Sequence, residues 1–518
     1  MSPLGQPSGQ VRESPALAPN IAANLAGQFV LLVLSLVAVK LVFGRLGQDA
    51  LGIVLFIQTV NVVLAGVLDL GVSSVTVREV AAHSHDDPAY VRMLVRTAST
   101  VYWAGFALVA VATVLVAPWL ARHWVNLGAM DPGTATAVLR ILGVAALSAL
   151  PRALYVSLYR GLQKTAYNNA IDVGTGLVQQ LGTVVILSRG GGLLAVVWWL
   201  ATGYAAGLGV YIVTLSRFIP LRALIPGWSG PVVRRNARFS AHMMSISALG
   251  VLHTYLDKLV MSKLLPIAAL GSYTAASSLV ARGTLLTNAI AEAAYPSLSA
   301  LHHRHDAVAM LRQYRKLQDL VCFGTVPLYA ALIFISPPLL GTLFGAHVAQ
   351  TLLFPVAVLC LGYYLNGTLT VPYVYSLAVG KPQITSRITF QAVFIIVPVT
   401  VGSVALLGVT GAGIGYLAYH LFIYLVGVPQ YCRQCLGIPT RAWYRHAATV
   451  LSLGAATYGI GFLLAARFGG LRLVALAAMF VLASMVFIAA AFRLVDPDLR
   501  ALLLGRLGRR QGTAARAA

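Results

Sequence analysis

Charge is what this chain has least of. Asp, Glu, Lys and Arg make up 10% of its 518 residues, against 58% hydrophobic, where a soluble globular domain carries about 25% charged residues. A mean hydropathy of +0.81 agrees, and a soluble globule is excluded. Cysteine is almost as scarce. Cys322, Cys360, Cys432 and Cys435 are too few and too scattered for a disulfide framework. The Cys432/Cys435 CxxC lacks the second Cys or His pair that a zinc site requires, so reduced thiols are expected. No G-x-x-x-x-G-K-[ST] loop occurs, and Gly161-Leu162-Gln163-Lys164-Thr165 has the wrong spacing to cradle phosphates. Transport would then run on a gradient or on the cargo's own flux unless another subunit supplies ATP. No long hydrophilic stretch separates the outer ends of the apolar runs, which leaves no room for an extracytoplasmic catalytic domain. An enzyme is not expected.

What the chain has instead is apolar runs of about 20 residues, the length that crosses a hydrocarbon core of about 30 Å as helix. Fourteen can be read between residues 20 and 492. The expected fold is an all-α polytopic membrane protein.

The formal charge of +23 suggests nucleic acid until its distribution is read. With the N-terminus placed in the cytoplasm, most Lys and Arg fall in the cytoplasmic loops and tails. Arg45, Arg122, Arg189, Lys263, Arg467 and Arg472 fall outside. This is the positive-inside bias, so the basic excess sets orientation and meets anionic lipid, and no nucleic-acid partner is expected. Both termini come out cytoplasmic. Residues 1–19 hold four prolines and little apolar content, and no cleavable signal peptide is expected there.

A weak internal repeat organises the runs. Ala50-Leu51-Gly52 recurs as Ala269-Leu270-Gly271, Pro118 as Pro337 and Gly161 as Gly380, all at an offset of 219 residues. A duplicated unit follows, giving two six-helix parallel pseudo-repeats plus two C-terminal helices around a central cleft. The expected division is a flexible tail (1–19), an N-terminal lobe (20–216), a basic cytoplasmic linker (217–238), a C-terminal lobe (239–430), an extra helix pair (431–492) and a basic tail (493–518).

Polar residues within the runs are the candidates for function, because an ionisable group near a helix centre costs about 2.5–3.5 kcal/mol on insertion scales. Lys40, Arg140, Asp257 and Lys258 lie toward outer ends, and Asp69, Arg152, Asp172 and Glu292 toward inner ends, where snorkelling or pairing is cheap. Arg282 sits about fifteen residues into its run, about 22 Å deep at 1.5 Å per residue. It reads either as a buried Arg bonding backbone carbonyls or a carboxylate, or as a cationic anchor for an anionic head group, since its planar fork holds phosphate bidentately. Asn61, Gln179, Gln180, His253, Asn366, His420 and Tyr363 could complete a cavity around it, though each alone serves equally as an interhelical hydrogen-bonding group. Glu292, Asp69 and Asp172 are the ion-coupling candidates. The run His83-Ser84-His85-Asp86-Asp87 reads as a solvated loop rather than a metal site, since nothing fixes its geometry. No metal or bound cofactor is expected.

The segments Ala237-Arg238-Phe239-Ser240, Leu256-Asp257-Lys258-Leu259-Val260, Leu270-Gly271-Ser272-Tyr273-Thr274 and Ala294-Tyr295-Pro296-Ser297-Leu298 resemble the seventh and eighth helices of the polysaccharide-repeat flippases. Leu158-Tyr159-Arg160-Gly161-Leu162-Gln163-Lys164 is similar to that family's loop after helix four. These proteins belong to the multidrug/oligosaccharidyl-lipid/polysaccharide exporter superfamily. The resemblance implies translocation of polyprenyl-diphosphate oligosaccharide across the bacterial cytoplasmic membrane for O-antigen, capsule or exopolysaccharide. It also implies alternating access, a cationic cavity filled by Arg282, coupling to an H+ or Na+ gradient, and a polysaccharide polymerase and chain-length regulator as partners. A cation-coupled multidrug exporter of the same superfamily is the alternative, but it would want a mid-depth carboxylate where this chain has Arg282. A lipid II flippase is less expected, because the first helix carries Lys40 alone as a charge.

Overall fold

The computed structural model describes residues 17–501, apart from 85 and 470–471. Most of the two expected tails, and His85 of the His/Asp run, lie outside the described residues. Those residues form twenty α-helices and no strand. In order they are α1 (Leu17–Leu46), α2 (Gln48–Leu68), α3 (Val72–His83), α4 (Pro88–Trp119), α5 (Pro132–Ala146), α6 (Ala149–Gly161), α7 (Thr165–Ser188) and α8 (Leu193–Leu215). A short α9 (Leu221–Leu224) then leads into α10 (Gly230–Leu264), α11 (Ile267–Ala281), α12 (Thr284–His303), α13 (Ala307–Phe344), α14 (Ala346–Ala378) and α15 (Gln383–Leu407). The last five are α16 (Ile414–Phe422), α17 (Val428–Tyr431), α18 (Thr440–Gly454), α19 (Ile460–Gly469) and α20 (Leu473–Leu494).

Several successive helices are one rod with a break in it. α5 continues into α6, α11 into α12, α16 into α17 and α18 into α19, so the described residues make fourteen passes. Eleven are long and apolar enough to cross a membrane. The three that fall short are α10, α11–α12 and α16–α17, and these carry His253, Arg282, Glu292 and His420. The helix starts obey local chemistry: Asp87, Asp131 and Asp306 each accept a hydrogen bond from a backbone N–H three residues on, satisfying donors left orphaned at a helix N-terminus. Asp87 and Asp306 open α4 and α13 and stand 219 residues apart, which extends the repeat to its helix caps.

Helix α10 begins at Gly230, inside the stretch read from sequence as linker. Its first turns are basic and pack against α3 and α4, while its apolar remainder packs against α15 and α16. The α2 rod of 21 residues is about 31 Å long and spans the hydrocarbon alone, which leaves α3 beyond its inner end. The two lobes meet along α2, against α11 at the end assigned as outer and against α10 toward the inner end, and through α1 against α13. Phe43 meets Phe344 edge-on with ring centroids 5.0 Å apart, and Ile267 N–H donates to the Asn126 carbonyl at 2.9 Å. Helices α18 and α20 lie against α13 as the extra pair.

Candidate functional site: a lobe-interface cavity with one guanidinium

Beneath the outer contact lies a cavity of about 260 Å³ walled by α1, α2, α7 and α8 from the first lobe and α11 and α13 from the second. Leucine, valine and alanine dominate its lining. Its polar groups are Ser35, Gln58, Gln180, Thr183 and Ser278, and among the described residues Arg282 is the one charged group.

The backbone dictates where Arg282 stands. Helix α11 ends in a tightened turn, with Arg282 N–H donating to Leu279 and Gly283 N–H to Val280, each three residues back. A Cβ at Gly283 would lie 2.7 Å from the Tyr329 ring, so the break needs glycine to admit that ring. Arg282 is half-buried, and desolvation is the dominant influence on its guanidinium, with no carboxylate beside it among the described residues. The reading in which it is neutralised by a neighbouring acid is therefore not the one observed.

The other expected residues separate into groups. Gln180 shares the cavity with Arg282. His253, Asn366 and His420 come together in a second cavity of about 250 Å³, walled by α10, α14, α15 and α16 within the second lobe. There His253 stacks on Tyr419 at 4.2 Å. His420 Nδ1 faces the Tyr416 carbonyl at 2.8 Å, and Asn366 Nδ2 faces Nε2 at 2.9 Å. A carbonyl can only accept, so Nδ1 carries the proton and Nε2 accepts from the amide. In this arrangement the His420 ring is neutral. Tyr363 packs its ring against Tyr416, tilted by 39° at 4.5 Å, beside this cluster. Asn61 donates to Ile57 within its own helix and its Oδ1 is buried without a partner. Gln179 packs its side chain over Gly203. Neither lines the Arg282 cavity.

The carboxylates also differ. Asp69 accepts from Tyr102 at 2.5 Å and Ser73 at 2.8 Å where α2 ends. Asp172 is paired with Arg152 at 2.5 Å. Glu292 is exposed, with no partner among the described residues. Asp257 and Lys258, read as cheap outer-end charges, are instead buried as a pair at 3.4 Å with Tyr273 as a further donor. Sequence depth gave no warning, because distance from a helix end does not say which face is turned inward. Gln58, which the sequence reading passed over, lines the Arg282 cavity. It is one helical turn below Val54 on the inward face of α2, and that period was its available signal.

The polysaccharide biosynthesis protein family matches residues 42–352. No curated protein sequence matches the chain. Among solved structures, the inward closed conformation of the lipid II flippase MurJ aligns with a TM-score of 0.67 at 12% identity, over 91% of this chain and 99% of that one. An inward-facing multidrug resistance MATE family transporter of the MOP superfamily aligns at 0.64 and 14%, over 77% and 94%. A MOP superfamily transporter from Pyrococcus furiosus, described as having a binding pocket of reversed polarity, gives 0.56 and 14%, over 80% and 94%. At such identities the likenesses speak to the fold alone, and the fold is that of the MOP superfamily transporters.

Proposed function

The chain belongs to the polysaccharide biosynthesis protein family, and from that premise we propose that it is a flippase. Its cargo is a polyprenyl-diphosphate-linked oligosaccharide repeat unit, carried from the cytoplasmic to the outer leaflet of a bacterial cytoplasmic membrane for surface polysaccharide synthesis. The observation that carries this reading is Arg282, an uncompensated guanidinium in an otherwise uncharged cavity between two lobes. A diphosphate sugar head cannot enter hydrocarbon, whereas a polyprenyl tail has no reason to leave it. A cationic cavity between rocking lobes holds the first and leaves the second in lipid, and the fork geometry of guanidinium suits phosphate oxygens. An exporter of cationic drugs would meet repulsion at Arg282, which sets that alternative lower despite the shared fold. Helix α1 runs on to Leu46 and so carries Arg45 in its last turn beside Lys40, still a sparse set of charges, which sets lipid II lower as well.

Of the three carboxylates considered for coupling, Asp69 and Asp172 already hold protein donors. Glu292 is therefore the candidate to bind H+ or Na+. Membrane lipids, a polymerase and a chain-length regulator complete the proposed setting.

The test is complementation of a flippase-deficient strain, with surface polymer measured beside membrane abundance. Arg282→Ala should abolish polymer at normal abundance, and Arg282→Lys should retain part of it. Normal polymer from the Ala variant would end the anchor role.

A further inference from the structure

The cavity inside the second lobe holds a ring with one nitrogen uncommitted. His253 Nδ1 faces the Leu249 carbonyl at 3.2 Å, one turn back on α10, and a carbonyl only accepts, so Nδ1 carries the proton of the neutral ring. Its Nε2 lies 3.4 Å from Thr254 Oγ1, whose own hydrogen goes to the Gly250 carbonyl at 2.8 Å. Two lone pairs therefore face each other, and the contact becomes a hydrogen bond only when Nε2 takes up a second proton. His420 differs, because Asn366 donates to its Nε2. The His253 ring also lies flat on Tyr419, with 4.2 Å between centroids and 15° between planes, which offers an aromatic face to a ring cation.

The cavity itself supplies a route. It extends from His253, 11 residues before the outer end of α10 at Leu264 and so about 16 Å deep, to Leu377 and Pro382 on either side of the inner turn between α14 and α15. Thr370, Thr385, Ser386 and Thr389 line it with hydroxyls. The titratable groups that face the ring are Tyr416, Tyr419 and His420 of α16, Tyr373 of α14 and Tyr431 of α17, with Tyr363 behind Tyr416. Arg387 of α15 is exposed and does not line the cavity. On α10 itself Asp257 and Lys258 hold each other, with Tyr273 of α11 on the carboxylate. Helix α2 keeps Asp49 and Asp69 at its two ends, while Arg78 and Glu79 of α3 and Tyr90 of α4 meet the first turns of α10. Among the described residues, then, no carboxylate is placed to hold an imidazolium at His253. The ring is nevertheless beside the lobe seam: two residues away, Val251 packs on Gly66 of α2, where a Cβ would lie 2.3 Å from the valine side chain.

We propose that His253 is a proton-binding site of the C-terminal lobe, reached from the cytoplasmic side in this arrangement, and that its protonation biases how the two lobes stand. The N–H bond forms at Nε2 with a proton taken from water and breaks by returning it to water. An imidazolium without a counter-ion is costly in a low-dielectric interior, so this arrangement sheds the proton through the cavity. An arrangement that brings water or an acceptor to Nε2 from the other side keeps it, and the proton therefore shifts the balance between the two. Uptake outside and release inside lets an inward H+ gradient drive an outward cargo. That use of the proton rests on the flippase reading, whereas the site does not. The ring also makes the coupling specific to H+ and independent of Glu292.

The test uses the full chain in lipid nanodiscs without cargo. Spin labels on Arg160→Cys of α6 and Arg387→Cys of α15, both exposed positions, on a Cys435→Ser background, report the distance between the inner ends of the lobes by double electron–electron resonance. Between about pH 8 and about pH 5.5, the range a histidine spans, the distance distribution of the parent protein should shift at fixed Na+, and His253→Gln should hold the high-pH distribution throughout. Thr254→Val, which removes the acceptor waiting at Nε2, should move the midpoint about one pH unit lower. A parent distribution that ignores pH, a response that survives His253→Gln, or one that follows Na+ at fixed pH overturns the proposal. If His253→Gln does not yield monodisperse protein, Thr254→Val decides alone, and an unmoved midpoint there overturns it. Because no cargo is present, this response is read apart from the polymer assay of Arg282→Ala, and either reading can fail without the other.

Discussion

Gly52 and Gly271, the matched glycines of the internal repeat, pack directly against each other across the lobe interface. A Cβ built on Gly271 would lie 2.7 Å from the Gly52 Cα, and one built on Gly52 would lie 2.1 Å from the Ile267 carbonyl oxygen. Backbone therefore meets backbone between α2 and α11, as small residues allow in membrane helix packing. The obstacle at Gly52 is a carbonyl, which cannot rotate away as a flexible side chain can. Gly52→Ala should destabilise this outer contact by about 1–3 kcal/mol, the usual range for overpacking. The measurement is maleimide labelling of a cysteine placed at Ser278 in the cavity beneath. Faster labelling from the outer side in Gly52→Ala, with transport reduced, is expected; an unchanged rate would show that the seal lies elsewhere.

The first of the three short matches of the repeat is thus a surface on which the halves touch, whereas Gly161 packs on Val80 within its own lobe. The count of passes was legible because apolar length is a property of the sequence itself. The start of α10 at Gly230 was not, because Arg234, Arg235 and Arg238 read as a basic linker until α3 and α4 supply Glu79 and Tyr90 as partners of Arg235. Arg282 could be singled out by depth alone. The pairing of Arg152 with Asp172 could not, because it joins two helices and no spacing along the chain encodes that. The polar trio His253, Asn366 and His420 was selected for the right property, but it fell into a separate cavity. Side-chain type marks a residue as inward-facing without saying which interior it faces.

At the inner face, Glu79 of α3 ties α10 to the first lobe. It accepts from Tyr90 and Arg78, with Arg235 and His83 each 3.6 Å away. Asn236 bonds both Tyr90 and Arg78. Burial pushes the Glu79 carboxyl up, but the hydrogen bonds from Tyr90 and Arg78 and the charges of Arg78 and Arg235 outweigh it and leave it below its ordinary value of 4.5. A depressed carboxyl contributes its stabilisation above the unfolded-state value and loses it as pH falls through the folded one. Thermal stability in detergent should therefore drop below about pH 4.5, and Glu79→Gln should flatten that part of the profile. At neutral pH the same variant should cost about 1–3 kcal/mol, read as a lower melting temperature in size-exclusion thermal assays. A wild-type profile unaltered by the substitution would remove Glu79 as its source.

One carboxylate of α13 bonds both ends of the extra pair. Asp319 accepts from His446 Nε2 of α18 at 2.8 Å through Oδ1, and from the Asp496 N–H past the end of α20 at 2.7 Å through Oδ2. Both acceptor oxygens are engaged, so Asp319→Ala strands two donors at once and should cost about 1–3 kcal/mol for each that stays buried. The loss should be local. Hydrogen exchange ought to rise in α18 and around Asp496 while α11 keeps its protection, and equal loosening of α11 would mean that the extra pair is integral to the C-terminal lobe.

The buried pair on α10 is the sharpest case of burial setting the sign of an effect. Asp257 and Lys258 are 5% and 6% exposed, with Nζ 3.4 Å from Oδ1. The Lys258 N–H donates to Oδ1 at 2.8 Å and the Tyr273 hydroxyl donates to Oδ2. Removing one partner of such a pair leaves an uncompensated charge in a low-dielectric interior, at a cost of about 3–5 kcal/mol, whereas removing both together is often near neutral. Asp257→Asn should accordingly lower the melting temperature sharply, because Lys258 keeps its charge and loses its counter-ion. Asp257→Asn with Lys258→Met should recover most of that loss. Tyr273→Phe should cost about 1–2 kcal/mol, since it removes one donor while the ion pair persists. Thermal unfolding of the four proteins followed by size-exclusion fluorescence gives the comparison. A double variant no more stable than Asp257→Asn alone would show that the carboxylate serves Tyr273 and the backbone rather than the lysine.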